Sequence, residues 1–493
     1  MARTAGPRLA PTAQLVVPTQ QAGTWDCAPK TLSLAGARPL PEGIGLYTSL
    51  EIWYLPQYGK IEIQLESRLQ ERFIKLVKAH LNASTRTSHG PRSLPELGKP
   101  ASASQAAWRF LNNERVTLQT LAEPLRKAGR DGCSQSESQF VLLAHDWCKL
   151  NYASHTSKKD LLQLTHGTDI GYDLSASLLI EAHTGVSLAP MQIHLKTGKE
   201  IHSTAKKPPK MTDHHLDQLE PTMDEVEDWE LPRKVVHIVD READALGRFR
   251  SWDAKGHLFL VRADDRRVRW NGKSILLSEI NEHFDREFEY KDVGKANYHG
   301  KSVRREVAEA KVVLHRQHRE TRNGEKILVS GKAIEVRAVF VRLIDKKGYI
   351  VAEWTLLTNV PADQADAAEI GLWYYWRWRI ESFFKLLKSA GHEIEYWQQT
   401  KGKAIARRLL IAAMACVVVN RLQGSDSPAA ERFRKYLMQL SGRQIKHGQE
   451  STAPALLAGY FVLLAMTQFL DQNDVSLKEL KKLTDESFQA ILV

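Results

Sequence analysis

Cysteine is scarce in this chain. Only Cys27, Cys133, Cys148 and Cys416 are scattered over 493 residues. No two of them form a C-x-x-C pair, which argues against a disulfide framework or a zinc knuckle and fits a reducing compartment. Long apolar runs are missing too. Leu409 to Val419 is shorter than the roughly 20 apolar residues of a spanning helix. Ala455 to Leu470 is interrupted by Gly459, Thr467 and Gln468. Both read as buried helices of a soluble protein, so no membrane partner is expected. Arg3 and Arg8 are followed only by Leu15-Val16-Val17 before a proline, which is not the pattern of a targeting segment. A cytoplasmic location is expected. No internal repeat is visible.

Acidic charge is the minority. Lys and Arg number 69 against 58 Asp and Glu, for a formal charge of +11. Such a balance points to a polyanionic partner, most simply nucleic acid. Hydrophobic residues at 43% and charged residues at 26% place the chain among ordinary globular proteins. Its length suggests about two to four domains.

Residues 1–45 are rich in Pro, Gly, Ala and Thr without a sustained period, and read as disordered. Leu65 to Leu81 has the spacing of an amphipathic helix with a basic polar face. A Ser/Pro/Gly-rich stretch from Ala83 to Ser104 follows, and Ala106 to Ala128 suggests two short helices. Residues 46–130 are thus expected to form a helical DNA-binding domain. "SQFVLLAHD" reads as a buried strand ending at Asp146. Leu174 to Leu195 reads as two strands joined by a turn at His183-Thr184-Gly185. "RKVVHIVDREADALGRFRSW" reads as strand, acidic turn and helix, and "HLFLVRADD" as a further strand. Residues 266–351 alternate β-branched and charged residues, as expected of an antiparallel insertion. The core is set at 131–425, and 426–493 is expected to be a helical C-terminal domain with a possible role in dimerisation. The fold class is α/β with an inserted sheet and helical flanks.

The chemistry gathers in "YYWRWRIESFFKLLKS", Tyr374 to Ser389. At about 100° per residue, one helix would bring Tyr374, Arg377, Glu381 and Lys388 onto one narrow face, with Lys385 close by. Such i,i+4 charge pairs are also common on exposed helices, at about 0.2–0.5 kcal/mol each. Two further acids sharpen the pattern, because Asp146 and Asp240 each end an apolar strand, where sites in α/β sheets are usually built. Asp240 also suits a helix cap. Three converging carboxylates suit hard divalent cations, which can activate a water or a 3′-hydroxyl against a phosphodiester.

The spacing Y-x2-R-x3-E-x6-K, together with "HIVDREAD" around Asp240, resembles the bacterial insertion-sequence transposases of the DDE class, over about residues 60 to 425. The resemblance implies an RNase H-like (retroviral-integrase-like) core with a β insertion before the last acid. It implies cut-and-paste transposition with Mg2+, or Mn2+ in its place, on double-stranded transposon ends and target DNA, by a homodimer that brings two ends together. It implies that Asp146, Asp240 and Glu381 are the catalytic, metal-binding acids. Tyr374, Arg377 and Lys388 match signature residues that contact DNA phosphates. Lys385 lies beside them and joins the expected DNA-binding set. Trp354 matches a tryptophan that stacks on a flipped base, and Arg262 a basic residue after the second acid. Ala263-Asp264 stand where a further lysine can occur, and Trp147-Cys148 replace the small hydroxylated residues often found after the first acid.

Other features carry less. "TDHHLD" (Thr212 to Asp217) offers His214 and His215 with two aspartates, but no fourth ligand at convincing spacing. Glu242 and Asp244 read as cap or surface charges. Trp373, Tyr375, Trp376, Trp378 and Phe384 contribute more to core than to DNA contact. The basic clusters "RADDRR", "RQHRETR" and "TKGKAIARR" suit solvated faces or a DNA path. Two rival functions share this sequence pattern: a catalytically silent DNA-binding regulator of transposition, and a structure-specific nuclease with the same core.

Overall fold

A computed structural model of the chain describes residues 63–82, 100–211, 214–298, 301–322, 325–389, 391–443 and 451–482. The expected disordered segment 1–45 lies outside the described residues.

Three helices come first: α1 (Ser67–Asn82), α2 (Pro100–Leu111) and α3 (Leu118–Ser134). The α2 helix starts inside the stretch read as a connector. Pro100 at its first position has φ already set for a helix, and mostly Ala, Ser and Gln follow. Thr117 caps α3 by accepting a bond from the Thr120 amide at 3.1 Å. These helices do not stand apart as a module. Phe73 of α1, Leu111 of α2 and Leu121 of α3 share one apolar cluster with sheet residues Leu143 and Leu179.

The sheet begins with β1 (Phe140–Asn151), the short β2 (Leu162–Gln163), β3 (Ile170–Glu181), β4 (Ser187–Lys196) and β5 (Ile201–Ser203). The turn between β3 and β4 falls where the sequence put it. Gly185 there has φ +70°, and a Cβ would sit 2.4 Å from the Trp376 indole, so both conformation and space call for glycine. Helix α4 (Leu219–Glu225), β6 (Lys234–Val239), α5 (Leu246–Ala254) and β7 (Leu258–Arg262) follow. Strands β6 and β7 are parallel to β1 and to each other respectively. Their near-continuous apolar runs are what a sheet covered on both faces requires.

The insertion contains β8 (Arg267–Trp270), β9 (Lys273–Leu276), β10 (Lys291–Tyr298), β11 (Lys301–Leu314), β12 (His318–Arg322), β13 (Glu325–Val329), β14 (Ile334–Ile344) and β15 (Ile350–Thr358). It also holds a helix, α6 (Leu277–Arg286), which the alternating-strand reading missed. Its apolar residues Leu277, Ile280 and Phe284 recur at helical spacing. Apart from the two-stranded sheet β12-β13, the insertion is not a separate sheet. The order β5-β4-β3-β1-β6-β7-β15-β14-β11-β8-β9 is one continuous surface, with β2 and β10 as side strands. Strand β15 joins the halves by pairing antiparallel with β7.

Side chains alternate between two cores, as a period of two demands. Leu260 and Leu356 enter the larger cluster. Phe259, Val261 and Leu357 enter a second one, closed by Phe249 and Trp252 of α5 and Phe284 of α6.

The remaining helices are α7 (Ala367–Trp376), α8 (Trp378–Leu387), α9 (Gly402–Gly424), α10 (Pro428–Leu440) and α11 (Ala453–Asn473). A capping box starts α7: Asp366 accepts from the Glu369 amide at 2.8 Å, and Glu369 accepts from the Asp366 amide at 3.0 Å. Helix α9 is buried along Leu409–Val417, and each buried leucine or isoleucine contributes about 1.5–3 kcal/mol. Helix α11 departs from the expectation of a fully buried helix. Leu456 and Leu457 are buried, but Val462, Met466 and Phe469 are exposed. Among the described residues it is the one helix long and apolar enough to cross a membrane by length and composition alone.

Candidate active site

Asp146 does not end its strand. It lies two residues past Ala144, the last β1 residue paired with β6, while β1 runs on to Asn151 paired with β3 alone. The acid therefore sits where β1 parts from its parallel neighbour, the place where open α/β sheets form crevices. Asp240 follows Val239, the last residue of β6, and accepts the Arg241 amide at 2.6 Å. It caps the short 3-10 turn Arg241–Ala243, not α5, which begins six residues later. Glu381 occupies the first turn of α8.

The signature segment is two helices meeting at Arg377, not one uninterrupted helix. The Arg377 amide bonds the Tyr374 carbonyl at 3.2 Å, a tight turn that keeps the helical direction. This junction aims Arg377 into the crevice. Its guanidinium lies 3.1 Å from Asp146, 2.9 Å from Glu381 and 3.4 Å from Asp240. One cation thus meets carboxylates from two strands and a helix. The arginine side chain is 6% exposed, Asp146 17%, and Asp240 and Glu381 40% each.

Burial sets the electrostatics. It raises the carboxyl groups of Asp146 and Glu381 above their ordinary values, with Arg377 opposing. Burial also pushes Asp240 upward, but Arg377, the Arg241 amide and the Tyr374 hydroxyl outweigh it, so Asp240 ends below the usual range. Burial disfavours the Arg377 charge, yet Tyr374 and the three acids raise it above an ordinary arginine. Two of the three acids are short of positive charge even with Arg377 in place.

The other signature residues are held inward. Tyr374 is 2% exposed, and its hydroxyl donates to Asp240 at 3.1 Å. Arg377 is spent on the acids, because burying three carboxylates requires a cation. Lys388 ends α8, where it donates to the Lys149 carbonyl at 2.9 Å and pairs with Glu395 at 3.0 Å. Lys385 is exposed on α8. Arg262 closes β7, and its charge lowers Asp240. Trp354 is 8% exposed on β15, with its ring 6.2 Å from that of Tyr374. The partly exposed ring that base stacking requires is not what this structure has; Trp354 packs behind Tyr374.

Sequence reasoning missed a buried pair beneath the acids. His145 and His237 bond ring to ring at 3.0 Å, and His145 also bonds Ser177 at 2.9 Å. Burial drives His145 down to about 3 and lowers His237 well below an ordinary histidine. Both rings are therefore neutral, and they tie β1 to β6 directly under Asp146 and Asp240. The available signal was one histidine in each of two otherwise apolar strands. Asp244, read as a surface or cap charge, is instead fully buried in a pair with Arg266 at 2.5 Å. In "TKGKAIARR", Arg407 and Arg408 are buried rather than solvated.

Residues 191–418 match the family model of the transposase DDE domain. That match supports a DDE-type insertion-sequence transposase. Members of this family act on nucleic acid with divalent metal ions, and the mixed α/β architecture with a large sheet fits the DDE domain. No curated protein matches the chain. The match to the DDE domain spans Asp240, Arg262, Trp354 and the whole signature from Tyr374 to Lys388, but begins beyond Asp146. Asp146 therefore joins the site on geometry alone, through its bond to Arg377.

Proposed function

We propose that this transposase binds the ends of its element, cleaves them by metal-dependent hydrolysis and transesterification, and joins the 3′ ends to target DNA. One observation carries the reading: Asp146, Asp240 and Glu381 come from separate elements and converge on a single buried guanidinium. The donor set fits the expected metal. It is all oxygen, as Mg2+ and Mn2+ prefer, and Arg377 stands in for positive charge that the acids need. When bound, such ions activate the attacking water or 3′-hydroxyl and stabilise the leaving oxygen.

The chain's own residues do the rest. The three carboxylates would hold the ions, and the Tyr374 hydroxyl orients Asp240. The neutral pair His145–His237 fixes the spacing of β1 and β6. With metal charge at the acids, Arg377 would be free to meet a DNA phosphate, with Lys385, Lys388 and Arg262 around it. The antiparallel β4-β3-β1 followed by parallel β6 and β7 supports an RNase H-like core. The exposed Val462, Met466 and Phe469 on α11 support a homodimer in the DNA complex.

The test incubates purified protein with labelled element-end duplex, target plasmid and Mg2+. Nicking followed by joining of 3′ ends supports the reading. Nicking without joining gives a structure-specific nuclease, and binding without nicking gives a regulator.

A further inference from the structure

The turn that carries Asp240 also carries Glu242, and Glu242 faces two histidines. His214 and His215 open the short 3-10 turn His215–Gln218. One ligand atom from each of His214, His215 and Glu242 lies within 4.8 Å of the other two. His215 Nε2 and Glu242 Oε1 are 3.0 Å apart. The two imidazole rings lie 3.7 Å apart, centroid to centroid. The His215 ring also stacks on Trp147 at 3.9 Å and 27°, which fixes its orientation.

We propose that His214, His215 and Glu242 bind a divalent transition ion of the zinc class, at a site distinct in chemistry from the three-carboxylate centre. The donor set decides the ion. Imidazole suits Zn2+, Ni2+, Co2+ and Cu2+, whereas Mg2+ selects oxygen. Two imidazoles and one carboxylate fill three positions of a tetrahedral site and leave the fourth to water or an anionic oxygen. D-R-E-A-D, far along the chain, adds Glu242 as a third side chain to the two histidines of "TDHHLD". Binding through either ring nitrogen ends the 3.3 Å bond that His214 Nδ1 accepts from the Leu216 amide, because that nitrogen is then either protonated or coordinated. An ion here ties the His214 segment to the Asp240 turn. Through His215 it also braces Trp147, the neighbour of Asp146.

The site does not depend on the proposed reaction, and its test separates the two. Untagged full-length protein is titrated with Co2+ in excess Mg2+, and visible absorption reports an imidazole-bound ion of low coordination number. One equivalent is expected to survive the Mg2+. Loss of an outer-shell partner typically costs about 10–100-fold in metal affinity, so His214→Ala and Glu242→Gln should each weaken it at least that much. Both side chains are exposed, so unchanged far-ultraviolet dichroism and melting are expected in these variants. Glu381→Gln should retain the equivalent. The proposal is overturned if no Mg2+-resistant equivalent exists, if His214→Ala and Glu242→Gln bind as tightly as wild type, or if Glu381→Gln loses it.

Discussion

Two arginine sites, at Arg377 and at Arg407–Arg408, use the same buried residue type for opposite purposes. Arg377 meets three carboxylates and is raised above an ordinary arginine. Arg408 donates to His80 and to Gln399 Oε1 at 3.3 and 3.2 Å and lies 4.1 Å over the Trp397 ring. Burial pushes it down to about 9. Arg407 donates to the Val116 and Leu111 carbonyls at 2.7 and 2.8 Å, bracing the link between α2 and α3 against α9. The first site holds negative charge that another cation can compete for. The second spends donors on carbonyls, His80 and Gln399, with the exposed Glu114 3.6 Å from Arg407, and is scaffold. What surrounds a buried guanidinium, not its burial, marks the reactive site.

The comparison is broken most severely at the acids. Asp146→Ala, Asp240→Ala or Glu381→Ala should each lower nicking and joining on the order of a thousandfold or more, each nearly as much as all three together, because groups acting as a unit are not additive. End binding, which rests on phosphate contacts, should persist in a gel-shift assay.

Removing Arg377 comes next. Arg377→Ala leaves three partly buried carboxylates without their counter-charge, and losing one partner of a buried pair costs about 3–5 kcal/mol. The 40% exposure of Asp240 and Glu381 places the effect near the lower end through solvent screening. The sign with pH follows from the carboxyl groups. Those raised in the folded state destabilise it as pH rises through the window between their unfolded and folded values. The loss should therefore be greatest at neutral pH and shrink on acidification. Mg2+ should raise the melting temperature of Arg377→Ala more than that of wild type.

Arg407→Ala sharpens the contrast. It strips two carbonyls of a buried donor, at about 1–3 kcal/mol, and should lower the melting temperature while leaving Mg2+ affinity and cleavage per folded molecule unchanged. An Arg407→Ala protein that lost metal affinity would erase the distinction between the two sites.

A smaller effect concerns protons. Asp146 and Glu381 sit above their ordinary values of 3.8 and 4.5, so Mg2+ affinity should fall on acidification at higher pH than free carboxylates would dictate. Asp240, held low, should not contribute. The smallest change is Tyr374→Phe, which removes one hydrogen bond to Asp240, about 0.5–1.5 kcal/mol. It should slow cleavage by no more than about tenfold and move the acid limb of that pH profile upward.

The acids were legible in the sequence because each stands beside a strong local pattern: an apolar strand for Asp146 and Asp240, a spaced signature for Glu381. The parallel strands were legible for the same reason, since "VVHIV" and "LFLV" leave few other structures open. The pairing of Arg377 with Glu381 fits helical i,i+4 spacing, but its reach to Asp146 and Asp240 was not legible. Arg377 read as a DNA contact because helical angles show which residues share a face but not whether that face is buried. The same blindness hid Trp354 behind Tyr374 and Arg407 beneath α2. The fusion of the insertion with the main sheet rests on pairing between β7 and β15, far apart in sequence, and no local pattern encodes that pairing. His145 and His237 became meaningful only once β1 and β6 lay side by side.

Glu381→Gln beside wild type, on end duplex and target plasmid with Mg2+, tests the central claim most directly. Glutamine keeps the volume and an acceptor for Arg377 while removing the charge. Wild type is expected to nick and join, and Glu381→Gln to bind the same duplex with the same melting temperature but do neither. Joining by Glu381→Gln at near the wild-type rate would contradict the assignment of the three acids.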